Sequence, residues 1–124
     1  MRIGELASLA GVSVRSLRYY EEQGLLTSGR TAGGQRCYTE VEVERVTLIQ
    51  RLYAAGLSSS TIATLMPCVD TPSEAASEAA LVRMAEERGR LSAHIVELVR
   101  TRESLDEIMR IAREHREGLR AAAR

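Results

Sequence analysis

At 124 residues the chain is about one domain's worth of sequence, one compact unit with an appendage at most. It has no Trp or Phe and only four tyrosines, so any core must come from Leu, Ile, Val, Ala and Met, which suits helix packing better than a sandwich or barrel. Seventeen basic residues, all arginine, balance seventeen acids to a formal net charge of zero, which excludes the broad basic excess of many nucleic-acid binders and leaves only a local basic face to find.

Helical spacing begins at once, with Ile3, Leu6, Leu9 and Ala10, and Gly11 stands where a helix takes a left-handed stop. Ser13 then precedes a second periodic stretch, where its hydroxyl can accept from the orphan N–H groups of the first turn. Two short helices joined through "AGVS" make a helix-turn-helix pattern. At about 100° per residue, Val14, Leu17 and Tyr20 share one side of the second helix, while Arg15, Arg18 and Tyr19 share roughly the opposite one. Tyr20 is expected to pack on Leu6 and Leu9, leaving Tyr19 outward beside two guanidinium groups.

Gly24 ends that helix, and "LLTSGRTAGGQRCYT" places glycines between short stretches that can pair as a β-hairpin, or wing. On its return limb Arg36 and Tyr38 share one face of an extended strand and Cys37 the other. A third helix opens at Thr39, with Glu42 completing a capping box. Its buried side is read as Val43, Val46, Leu48, Ile49, Leu52 and Tyr53, and Gly56 closes it. A fourth helix is expected from Ser58 to about Met66, stopped by Pro67.

After "PCVDTPSE" the composition shifts to Ala, Glu, Arg and Leu, and residues 73–115 read as one long helix with Gly89 as its weak point. Heptad position a falls on Leu81, Arg88, Ile95, Arg102 and Met109, and position d on Met84, Leu91, Leu98, Leu105 and Ala112. A helix of roughly 60 Å, at about 1.5 Å per residue, cannot bury such a stripe on a small domain, so a second copy is the expected partner. A fold-back onto the N-terminal part, or a solitary helix kept soluble by pairs such as Glu86–Arg90, are the alternatives. The division expected is a DNA-binding domain over 1–67, a linker over 68–72, a coiled-coil helix over 73–115 and a short tail over 116–124.

The chemistry points to duplex DNA. An outward Arg15–Arg18–Tyr19 stripe on the second helix of a helix-turn-helix sits where base edges of a major groove are met, with Arg36 and Tyr38 of the wing reaching backbone or an adjacent groove. The first 38 residues carry five arginines against three glutamates, so the local balance is positive and a moderate salt dependence of binding is expected. Taken singly each residue reads as ordinary surface; the agreement of spacing, stripe, wing and coil carries the argument.

The segments "IGELASLAGVSVRSLRYYEEQGLL", "GGQRCYTE" and "RLYAAGLSSSTIATLM", in this order, closely resemble the MerR family of bacterial transcription regulators over residues 2 to about 67. The resemblance implies a mainly α fold: a winged helix-turn-helix domain followed by a long helix that forms an antiparallel coiled coil in a homodimer. It implies a pseudo-palindromic operator within an over-long promoter spacer, distorted so that RNA polymerase engages both promoter elements. Family DNA contacts carried over by position fall on Arg15, Arg18, Tyr19, Arg36 and Tyr38, with Ser13 capping the recognition helix and touching backbone.

The signal is less legible. Cys37 and Cys68 lack C-x-x-C spacing and read as reduced thiols; Cys68, just before the long helix, reads first as a packed or idle thiol and second as an effector-linked one, and Cys37, between two proposed contacts, is a candidate for oxidation-sensitive binding. His94 and His115 do not complete a thiolate metal site, so no metal and no cofactor is expected. An unidentified small-molecule effector would need a pocket, for which Leu57, Ile62, Met66, Met84 and Val96 are candidates that read more readily as core. No nucleophile–base pair or phosphate-cradling glycine motif supports an enzyme. With no secretion signal in the first ten residues and no run near the ~18 apolar residues of a membrane span, a cytoplasmic protein is expected. The rival reading is a coiled-coil interaction or architectural protein with non-specific DNA binding.

Overall fold

The computed structural model describes all 124 residues, which form two compact units, Met1–Arg83 and Met84–Arg124. The order is α1 (Ile3–Ala10), α2 (Val14–Glu22), β1 (Gly29–Arg30), β2 (Arg36–Cys37), α3 (Glu40–Ala54), α4 (Ser59–Asp70) and α5 (Glu74–Ala122). The fold is mainly helical, with one small β-hairpin and a long C-terminal helix. No helix is long and apolar enough to cross a membrane.

In the first unit α1 packs on both α2 and α3, and α3 packs on α4. The centre of this core is Leu6, Leu17, Leu25, Val46, Ile49 and Ile62, each fully buried. Local rules set the helix boundaries. Gly11, at φ 71°, turns its N–H back to the Ala7 carbonyl and closes α1. Ser13 Oγ accepts from the Ser16 N–H at 3.0 Å and starts α2. Thr39 and Glu42 form the expected capping box, the Thr39 N–H donating to Glu42 Oε2 at 2.6 Å. Partial burial pushes the Glu42 carboxyl up, but the hydrogen bonds from Thr39 and the nearby Arg45 charge bring it below its ordinary value.

The hairpin pairs Gly29 with Cys37 and Arg30 with Arg36, antiparallel. Its turn is held by Thr31 N–H to the Gln35 carbonyl at 2.8 Å and Gly34 N–H to the Thr31 carbonyl at 2.9 Å, with Gly34 at φ 80°. Two residues per strand make a marginal ladder. Its base is fastened by Met1 and Tyr38, whose backbones exchange hydrogen bonds of 2.7 and 2.8 Å.

Three expectations need correction. Tyr20 does not rest on Leu9, which is 61 % exposed; it stacks on Tyr53, with ring centroids 5.7 Å apart. The buried face of α1 centres on Ile3, Leu6, Ala7 and Ala10, and Leu9 lies about 110° round the helix from that centre. Pro67 does not stop α4, which continues to Asp70, so most of the expected 68–72 linker is helical. Pro67 leaves the Ala63 carbonyl without its helical donor. Arg45 compensates by tying the end of α4 to α3: its two terminal nitrogens grip both carboxylate oxygens of Asp70, and its Nε donates to the Leu25 carbonyl at 2.6 Å. Finally, α5 runs to Ala122, through the expected tail, because Ala, Leu, Glu and Arg outweigh the ~1 kcal/mol helix cost of Gly118.

In the second unit the helix is lined with exposed apolar side chains, among them Leu91, Ile95, Leu98, Leu105 and Met109. Arg110 bridges Glu107 and Glu114 along its surface, fully in solvent.

Candidate nucleic-acid interface

Helix α2 carries the arrangement its periodicity predicts. Leu17 and Tyr20 are buried, Val14 packs partly against the same core, and Arg15, Arg18 and Tyr19 are exposed on the other side. The Tyr19 ring is 44 % exposed, and its hydroxyl lies 3.0 Å from Ser59 Oγ, which also meets the Tyr53 hydroxyl at 2.5 Å. Tyr19 is thus aimed by the first residue of α4 rather than left free. No feature of the sequence announces this link, because forty residues separate the two side chains.

On the wing, Arg36 is exposed and its guanidinium donates to Glu21 Oε2 at 2.8 Å. Tyr38 is elsewhere. Expected on the outer face beside Arg36, it is 1 % exposed, and its ring belongs to the core while its hydroxyl donates to Glu21 Oε1. The strand ends at Cys37, so strict alternation does not extend to the next residue; the backbone exchange with Met1 turns Tyr38 inward. Tyr38 therefore presents no hydroxyl to a ligand, and positions the wing through Glu21 instead. Glu21 was legible only as one more surface acid, although its place three residues after Arg18 put it beside the basic stripe.

Burial, reinforced by the hydrogen bond to Glu21 and the negative charge of that carboxylate, pushes the Tyr38 phenol from 10.0 up to about 12. Because the folded value is raised, this contribution to stability is complete below pH 10 and is lost as the pH rises toward 12. Chemical unfolding of the wild type is expected to show stability falling across that window, and Tyr38→Phe to remove that part of the decline. Parallel pH profiles for the two proteins would contradict the assignment.

Cys37 is half-buried, with its sulfur close to Gly29 across the hairpin, and Cys68 is half-buried on α4; neither forms a disulfide. No group of three or more His, Cys, Asp or Glu side chains is placed to hold a metal ion. Of the residues considered for an effector pocket, Ile62 and Met66 are buried in the core and Leu57 packs against it, whereas Met84 and Val96 are exposed on α5. Leu81, Met84, Leu91, Ile95, Leu98, Leu105, Met109 and Ala112, proposed for a seam, all lie on α5 with their side chains open to solvent.

Two helices with a capped turn, an outward Arg/Tyr stripe and a basic hairpin define a winged helix-turn-helix module. Residues 1–67 match the model of the MerR HTH family regulatory proteins, and 43–108 match a MerR DNA-binding model. The HTH-type transcriptional regulator ZntR of Escherichia coli K12 is 32 % identical over 108 residues, 86 % of this chain and 77 % of ZntR. The nodulation protein NolA of Bradyrhizobium elkanii is 52 % identical over 58 residues, 46 % of this chain but only 26 % of NolA. In structure, HiNmlR, a MerR family regulator lacking the sensor domain and bound to promoter DNA, aligns with a TM-score of 0.60 at 27 % identity, over 81 % of this chain and 76 % of that one. The chain belongs to the MerR family, a family of non-enzymatic regulators.

Proposed function

We propose that the chain is a cytoplasmic, homodimeric regulator that binds a pseudo-palindromic promoter operator and controls transcription by distorting it, so that RNA polymerase engages promoter elements set too far apart. The observation that carries this reading is the exposed Arg15–Arg18–Tyr19 face of α2, held rigid from behind by Leu17 and Tyr20 and started by the Ser13 cap. Arginine forks at the start of a recognition helix are suited to guanine edges and to phosphates alike. The relative bound to promoter DNA shares the fold and supports the same partner. Residues 1–67 would supply the DNA contacts and the helix from residue 73 the dimer, its apolar stripe pairing antiparallel with the second copy. Bending and untwisting the spacer costs energy that depends on its sequence, which makes the deformation the regulated quantity.

Capture of sheared genomic DNA on the full chain, with sequencing of the bound fragments, tests the reading. Recovery of an inverted repeat inside a promoter with a long spacer is expected; random fragments would overturn it in favour of non-specific or architectural binding. On the recovered operator, Arg15→Ala should cost about 1–3 kcal/mol per half-site while binding to scrambled duplex changes far less. Equal losses on both duplexes would reassign Arg15 to the backbone.

A further inference from the structure

We propose that Ser59 is a positioning residue for DNA binding: its hydroxyl joins Tyr53 to Tyr19 in a hydrogen-bond relay that orders the Tyr19 hydroxyl to donate to a backbone phosphate. The inference rests on the operator-binding reading and adds to it two residues, Ser59 and Tyr53, that act on the DNA only through Tyr19.

Three of the four tyrosines of the chain meet at this point, on three helices. Tyr20 and Tyr53 stack with ring centroids 5.7 Å apart and planes 21° from parallel, so the buried Tyr20 fixes the half-buried ring of Tyr53. From that fixed ring the Tyr53 hydroxyl reaches Ser59 Oγ at 2.5 Å, and Ser59 Oγ lies 3.0 Å from the Tyr19 hydroxyl. Tyr19 adjoins Tyr20 on α2, so the path closes on itself. It runs from α2 to α3 through the stacked rings, and from α3 through the first residue of α4 back to α2 through the hydroxyls.

Proton count gives the relay its direction. A serine hydroxyl carries one proton, so Ser59 donates to one tyrosine and accepts from the other. Within the chain alone, either order satisfies both bonds. A phosphate selects one of them, because its oxygens only accept: Tyr19 donates to the phosphate, its oxygen accepts from Ser59, and Ser59 accepts from Tyr53. Each donor polarises the next and strengthens the last bond, the one made to a charged oxygen. Without Ser59 the Tyr19 hydroxyl keeps its proton but loses its orientation and its polarisation. The strength of a contact made by α2 thus depends on where α4 begins.

Ser59 is free for this task because its neighbour starts the helix: Ser58 Oγ accepts from the Thr61 N–H at 3.2 Å. Ser59→Ala therefore removes the relay and leaves the cap.

Anisotropy titrations of the full chain test the proposal, on the captured operator and on a scrambled duplex. Tyr19→Phe should weaken both by about tenfold, the scale of one hydrogen bond to a charged group. Ser59→Ala should weaken both by about threefold or more, and Tyr53→Phe, which keeps the ring stack, by about twofold. In a Tyr19→Phe background neither substitution should cost anything further, since the bond they strengthen is gone. Salt slopes should match wild type throughout, because a neutral hydroxyl releases no counterion. Wild-type affinity in Ser59→Ala would overturn the relay. So would a Ser59→Ala loss that persists in full beside Tyr19→Phe, which would place its effect in the packing of α4, or a flattened slope, which would mean displaced arginines. Should Ser59→Ala fail to fold, the same cycle with Tyr53→Phe decides. Failure of the wild type to prefer the operator would sink the operator reading, whereas the cycle on the scrambled duplex would still decide the relay.

Discussion

Leu17→Ala is expected to lower the unfolding free energy of the N-terminal unit by about 2–5 kcal/mol. Leu17 is fully buried on the inner side of α2, in one cluster with Leu6, Tyr20, Leu25 and Ile49. Truncation removes its apolar contacts and leaves a cavity that neighbours from other segments cannot fill without shifting. The loss is large against the ~5–15 kcal/mol that holds a small domain together, and it should shift the melting temperature by about ten degrees or more. Operator affinity should fall with it, because a nine-residue helix has no second layer to keep its outer arginines in register once its inner face loosens. Arg18→Ala, one residue along and exposed, should weaken DNA binding with almost no change in the melt, so the pair of variants separates support from contact. A Leu17→Ala protein that melts within about 1 kcal/mol of wild type would show that α2 is not packed as described.

What could be read from the sequence divides along the range of the forces involved. The Ser13 cap, the Gly11 stop and the Thr39–Glu42 capping box are decided by residues within a few positions of one another, and the structure contains all three. The two sides of α2 were likewise legible, since helical period alone separates Leu17 and Tyr20 from Arg15, Arg18 and Tyr19. Pro67 shows where local rules lose. Proline is a sound stop signal in isolation, but the Arg45 grip on Asp70 acts across twenty-five residues and holds three further residues in the helix. Tyr38 fails for a different reason: a two-residue strand is too short for alternation to fix which way its successor points. Glu21 gains its meaning only when the wing folds back over α2, bringing Arg36 and Tyr38 to its two carboxylate oxygens. Sequence reading thus found the face of the candidate site and missed what aims it.

The second large effect is expected on α5. Leu98→Asp should convert the proposed homodimer to a monomer at micromolar concentration and reduce operator affinity by a hundredfold or more, about 10²–10⁴ being the range over which tethering two half-site binders raises avidity. Leu98 is 54 % exposed in the single chain and stands at a d position between Leu91 and Leu105, which are 51 % and 55 % exposed. Side chains of this kind, repeated by heptads, gain nothing from water and bury themselves when a second helix lies along the seam. Aspartate there would place an unpaired charge in that seam, a cost of about 3–5 kcal/mol, and symmetry repeats it in the partner. Val96 supplies the control. It is 49 % exposed, but two residues back it lies about 200° round the helix from Leu98, on the side away from the stripe. Val96→Asp introduces the same chemistry and should leave the dimer intact by sedimentation equilibrium, with the N-terminal unit melting as wild type in both proteins. If Leu98→Asp remains dimeric, the stripe is not the seam. If Val96→Asp dissociates as well, added charge anywhere on α5 suffices and the heptad assignment loses its support.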